Sequence, residues 1–106
     1  MTWREKIVAA HAAVTDAVSH YFRVKSERYL VWQEERAEDL VADSRHAERA
    51  MRGTTDLYTK VDGDPWADAL DAALTAQGIA WYRNSVQYEP ETGLIHTEWV
   101  WEVTDG

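Results

Sequence analysis

The sequence predicts a two-layer α/β (α+β) domain: two helices over a four-stranded, mostly antiparallel sheet, in the order α-β-β-α-β-β. Three observations predict it. An apolar stripe at three- and four-residue steps opens the chain behind a capping box at Thr2 and Glu5. A second helix is bracketed by Asp64-Pro65 in front and Gly78 behind. β-Branched and aromatic runs fill the rest, the last two joined by the turn Pro90-Glu91-Thr92-Gly93. A length of 106 residues fits one domain, 1–106, with no room for a second.

Residues 3 to about 22 read as an amphipathic helix, with Ile7, His11, Val14, Val18 and Tyr21 on one stripe and alanines at 9, 10, 12, 13 and 17 raising propensity. Residues Ser19 to Arg23 read either as its last turn or as the start of an extended stretch. Tyr29-Leu30-Val31-Trp32-Gln33 reads as a strand bounded by charge. Residues 36–46 are polar and aperiodic, a long loop or frayed half-helix of the kind that is often functional. Glu48 to Lys60 reads as the second strand, with Met51, Thr55 and Leu57 on one parity and Gly53 marking a bulge or a close backbone approach.

The second helix is the best-marked element. Asp64 caps it, Pro65 suits its first position, Asp68 meets the positive end of the dipole, and Trp66, Leu70, Ala73, Leu74 and Gln77 share a face. The last two strands run from Ile79 to Glu89 and from Leu94 to Val103. On the final strand Ile95, Trp99, Trp101 and Val103 form a dry side, while His96, Glu98 and Glu102 form a wet one with Val100 among them.

Composition narrows the function. Net charge is −8 with six Trp and five Tyr, and no basic stripe of the kind a general nucleic-acid binder carries is visible. Cysteine is absent, which excludes disulfides and thiolate metal sites and suits a reducing cytosol. No apolar run approaches a membrane span, and the opening Met1-Thr2-Trp3-Arg4-Glu5-Lys6 lacks a signal peptide's long apolar stretch. The aromatic load exceeds what one small core needs, so part of it is expected at a subunit interface. Trp66, Trp81, Trp99 and Trp101 fit core positions; Trp3 and Trp32 are harder to place inside and could anchor a neighbouring chain.

Catalytic patterns are scarce. His11, His20, His46 and His96 have no metal-ligand spacing, and His11 falls on the apolar stripe as a satisfied core histidine. His96 is expected to pair across the sheet with Glu or Tyr. Glu89, Glu91, Glu98 and Glu102 cluster at the final hairpin, yet acid–base work needs a carboxyl in an apolar pocket. Ser19-His20 and Ser44-Arg45-His46 place Ser near His in sequence only, and no phosphate-cradling Gly loop or nucleophile elbow occurs. No catalytic, cofactor or metal residue is therefore expected.

Four stretches together resemble a known family. They are Arg28-Tyr29-Leu30-Val31-Trp32-Gln33-Glu34; Gly53-Thr54-Thr55-Asp56-Leu57-Tyr58-Thr59-Lys60; Asp64-Pro65-Trp66; and Asn84-Ser85-Val86-Gln87-Tyr88-Glu89 through Glu91-Thr92-Gly93-Leu94-Ile95-His96 to Glu98-Trp99-Val100-Trp101-Glu102. They resemble the tail terminator (tail completion) proteins of long-tailed bacteriophages and prophages, the lambda-like terminators among them. The likeness covers residues from about 28 to 103, and its last stretch is the most distinctive. It implies an α/β structural protein of the virion, at the head-proximal end of the tail and in the host cytoplasm during assembly. Such proteins form hexameric rings that cap the finished tail tube, stop its polymerisation and present a surface to the head–tail connector. It implies no enzyme activity and no cofactor. The sequence departs from many relatives in the Arg36–His46 loop.

A ring needs heterologous interfaces that close under rotation, and sheet edges invite them. The residues expected at such an interface are Tyr29 and Trp32 on the first strand, with Glu38, Asp39, Leu40, Val41 and Ser44 in the loop behind it. An acidic lumen would let DNA pass without being held, because phosphate contacts supply non-specific affinity. Two other readings stand beside this one: a neck or head–tail connector protein, and a small α+β dimeric enzyme or ligand-binding module, which predicts a deep pocket with converging polar groups.

Overall fold

The computed structural model describes residues 1–39 and 49–106. Its elements are α1 (Trp3–Ala12), β1 (Val18–His20), β2 (Arg28–Asp39), β3 (Arg49–Thr59), α2 (Pro65–Ala76), β4 (Ala80–Glu89) and β5 (Leu94–Thr104). The sheet has five strands in the order β1-β2-β3-β5-β4, not the four expected, and its β1–β2 pair is parallel. The remaining pairs are antiparallel, so the expectation of two hairpins holds.

The extra strand comes from the end of the first predicted helix. Thr2 and Glu5 form the reciprocal capping box, and α1 begins where the sequence placed it. It stops at Ala12, well short of residue 22. Beyond it Val14, Thr15 and Val18 are β-branched, and the Thr15 hydroxyl accepts the Ala17 N–H, a local turn that competes with the helix. Val18, Ser19 and His20 then pair in parallel with Leu30, Val31 and Trp32. Residues 21–27 return the chain, a short crossover for parallel strands. Tyr21 makes the corner with φ 73°, a left-handed conformation costly for a residue with a Cβ.

β2 is also longer than its apolar run. It continues through residues 34–39, of which 36–39 were expected to be loop, because β3 supplies backbone partners as far as Asp39↔Arg49. The register slips between Glu34 and Arg36, opposite Gly53. A Cβ on Gly53 would lie 2.4 Å from both the Gln33 carbonyl oxygen and the Trp101 ring, so the bulge and the close approach coexist at one position. The long hairpin stretches the molecule to 49 × 23 × 20 Å, and its radius of gyration of 14.5 Å exceeds the roughly 13 Å of a spherical domain this size.

Both helices lie on one face. The core joins Ile7 and Ala10 of α1 and Leu70 and Leu74 of α2 to Leu30, Trp32, Leu57, Trp99, Trp101 and Val103 of the sheet, with Ile79 below. The alternation along β5 places Trp99, Trp101 and Val103 inside, as the sequence indicated, with Thr97 buried and Ile95 half-buried on the same parity. A smaller cluster of Tyr29, Val31, Tyr58 and Leu94 forms on the opposite, helix-free face.

Candidate assembly surface

The residues expected at an interface separate into three groups. Tyr29 and Trp32 are only 2% and 4% exposed. Their rings are covered by their own chain. Glu38 and Asp39 end β2, paired through the backbone with Ala50 and Arg49. Leu40, Val41 and Ser44 lie outside the described residues, as does His46.

Trp32 is the floor of an aromatic stack at the β1 side of the sheet. His20 lies on it with ring centroids 3.8 Å apart, Tyr21 lies on His20 at 3.9 Å, and the Arg4 guanidinium sits 5.6 Å from the Trp32 ring. Glu34 ties the stack together: it accepts from His20 Nε2 at 2.7 Å and from the Tyr21 hydroxyl. Partial burial works to raise the Glu34 carboxyl, and the hydrogen bonds from Tyr21, its own backbone and His20 outweigh it, so its pKa lies below the ordinary value. Trp3, the other tryptophan proposed as an anchor, is half-buried against the core.

On the helix-free face one row runs straight across three strands, Tyr29↔Tyr58↔His96. Tyr58 stacks between Tyr29 at 5.2 Å and His96 at 4.4 Å, and Arg23 covers it with its guanidinium carbon 3.9 Å from the ring centre. Arg23 reaches this position from the β1–β2 connection and is held there by the Tyr29 hydroxyl and by Glu89. Burial pushes the Tyr58 hydroxyl up to about 12, so it stays a neutral donor. His96 Nε2 lies 2.6 Å from Asp56 Oδ1, a bond that raises the imidazole pKa. His96 thus pairs across the sheet as expected, but with Asp as its partner and Tyr as its stacking surface.

This arrangement is satisfied internally. No buried side-chain nitrogen or oxygen lacks a partner among the described residues, and no three His, Cys, Asp or Glu side chains there converge to hold a metal ion. Of the hairpin acids, Glu89 is engaged by Arg23 and Glu98 by Asn84. Two open hollows border β4: one of about 220 Å³ around Tyr82 and Val100, and one of about 280 Å³ between Val86, Ile95 and the start of α2. No described helix is long and apolar enough to cross a membrane.

No protein-family model matches the sequence, and no curated protein does. Sixteen chains of solved structures match the fold. One is a chain of the "Virion of native gene transfer agent (GTA) particle", with a TM-score of 0.59 and 14% identity over 99% of this chain and 92% of that one. The likeness is one of fold and covers most of both chains.

Sequence reasoning missed two groups of exposed apolar side chains. Tyr82, Val86 and Tyr88 stand on β4, which lies at one edge of the sheet, and Tyr21, Phe22 and Val24 follow β1, at the other. The strand at 79–89 was legible; its edge position was not, because that depends on β5 inserting between β3 and β4.

Proposed function

We propose that this chain is a structural virion protein of the tail terminator kind. It forms a ring on the end of the phage tail tube, ends tube polymerisation and presents the surface to which the head–tail connector joins. The observation that carries this reading is the fold likeness to a chain of a gene transfer agent virion. The four sequence stretches that resemble terminators support the finer assignment, and they fall on β2, β3, the start of α2 and the β4–β5 hairpin, the elements that build the sheet.

In this reading the partners are further copies of the chain in a hexamer, the tail tube protein and the head–tail connector, at the head-proximal end of the tail. Glu38, Asp39, Leu40, Val41 and Ser44 reach a neighbouring subunit, while Tyr29 and Trp32 contribute through the side chains stacked on them. DNA passes through the lumen without specific binding, consistent with the net charge of −8. The protein needs no cofactor and performs no catalysis.

The test is deletion of the gene in the particle-producing cell, followed by electron microscopy. Over-long, headless tails are expected. Tails of normal length that fail to join heads would move the protein to the neck, as a connector, and normal particles would refute a role in either place.

A further inference from the structure

We infer that copies of this chain join head to tail along their sheet edges, the β4 edge of one copy against the β1 edge of the next. The inference rests on the reading of the chain as a ring subunit and names the seam of that ring.

The exposed apolar side chains carry the argument. Among the described residues nine large hydrophobic side chains are exposed, and six of them lie on the edge strand β4 or in the segment that leaves the edge strand β1. Tyr82, Val86 and Tyr88 are 51%, 64% and 64% exposed on β4, and Tyr21, Phe22 and Val24 are 49%, 73% and 47% exposed in the segment leaving β1. Natural edge strands are normally blunted by Lys, Pro or inward charge. β4 contains no Lys or Pro from Ala80 to Glu89. Its one cation, Arg83, is turned back onto Asp68 and Asp71 of α2. Beside that inward-turned charge, the strand's blunting device is the bulge at Asn84.

Backbone pairing and strand direction fit the same seam. β4 is hydrogen-bonded to β5 on one side, and along its outer side no backbone partner occurs among the described residues. Strand directions across the sheet set β4 antiparallel to β1. A neighbour related by a rotation that carries the sheet onward therefore lays its β1 antiparallel to β4, the commoner pairing. The hollows beside Tyr82 and Val86 flank β4 on both faces of the sheet and give alternate side chains of the arriving chain a place to settle. Because the two patches are unlike, their contact is heterologous and propagates until it closes. A two-fold pairing of β4 with β4 would leave the Tyr21–Val24 patch bare in both copies.

The chain contains no cysteine, so engineered thiols report contacts without background. Phe22→Cys and Val86→Cys alter exposed side chains, and Ala69→Cys, on the exposed side of α2, is the control. The full chain is treated with a flexible bismaleimide. Mixing the Phe22→Cys and Val86→Cys proteins is expected to give a mixed dimer about tenfold faster than either protein alone or the control. The double variant is expected to give a ladder ending in a closed species. Val86→Cys dimerising alone as fast as the mixture overturns the inference in favour of a two-fold seam. A mixture that links no faster than the control also overturns it. If electron microscopy of that same protein still shows rings, the ring reading survives and only the seam is wrong; if the wild-type chain is monomeric as well, both fall.

Discussion

His11 shows how one buried side chain can set the pH response of this fold. It is 1% exposed, and burial lowers its pKa to about 4, the hydrogen bond to the Ile7 carbonyl opposing only weakly. The imidazole is therefore neutral, and its neighbours fix the tautomer. Nδ1–H donates to the Ile7 carbonyl at 2.7 Å, Nε2 accepts from the Thr55 hydroxyl at 2.8 Å, and Thr55 Oγ1 accepts from Trp101 Nε1–H at 2.9 Å. Each donor has one acceptor, so no buried polar group is stranded. A folded-state pKa below the unfolded value of 6.5 means that the unfolded chain takes up the proton first. Stability is full above pH 6.5 and falls between there and about 4. The loss amounts to about 3 kcal/mol, at roughly 1.4 kcal/mol for each pKa unit. His11→Gln keeps one donor and one acceptor without titrating. Urea unfolding across this pH window is expected to show a flatter dependence for the variant than for the wild type; equal slopes would mean that His11 is not the group responsible.

At the scale of elements, the start of α2 is the joint that ties helix to sheet. Asp64 caps the helix by accepting the Trp66 N–H at 2.9 Å, and its carboxylate also receives Arg28 of β2 at 2.6 and 2.8 Å and the Thr59 hydroxyl of β3 at 2.7 Å. Burial works to raise the carboxyl, and the Arg28, Trp66 and Thr59 hydrogen bonds outweigh it, so Asp64 stays ionised below the ordinary carboxylate range. Its contribution is present above the unfolded pKa and is lost as the pH falls through the folded one. Asp64→Ala removes a cap and a paired charge together, and a loss of about 2–3 kcal/mol is expected. Asp64→Asn, which can still cap, should lose less; chemical denaturation with an unchanged m-value checks both. This joint was legible in the sequence, because a cap, an N1 proline and a C-terminal glycine are local signals, and Gly78 does adopt φ 72°. Gly53 was legible as a special position for the same reason. β1 was not: Val14, Val18 and Tyr21 continue the helical spacing of Ile7 and His11, and only pairing with Leu30–Trp32 pulls residues 18–20 into the sheet. Nor was the burial of Tyr29 and Trp32, which depends on Arg23, His20 and Tyr21 returning over them from the crossover. Both rings are thus packed by side chains that lie next to one another only once the crossover is formed.

For the whole molecule the decisive quantities are the net charge and where the exposed apolar surface lies. Each copy carries −8, so bringing copies together costs electrostatic work that salt reduces. At near-physiological ionic strength the Debye length is about 8 Å, and like charges on neighbouring subunits are largely screened beyond that distance. An apolar seam between the β4 and β1 edges loses nothing by this screening. Assembly of the wild-type chain is therefore expected to strengthen as salt rises from low to near-physiological levels, measured by sedimentation velocity at fixed protein concentration. The sign separates two kinds of contact. Association held by ion pairs, or binding to the phosphates of DNA, weakens over the same range. A ring that disperses on adding salt would place the joining surfaces on charged residues and take the role of the seam away from Tyr82, Val86 and Tyr88.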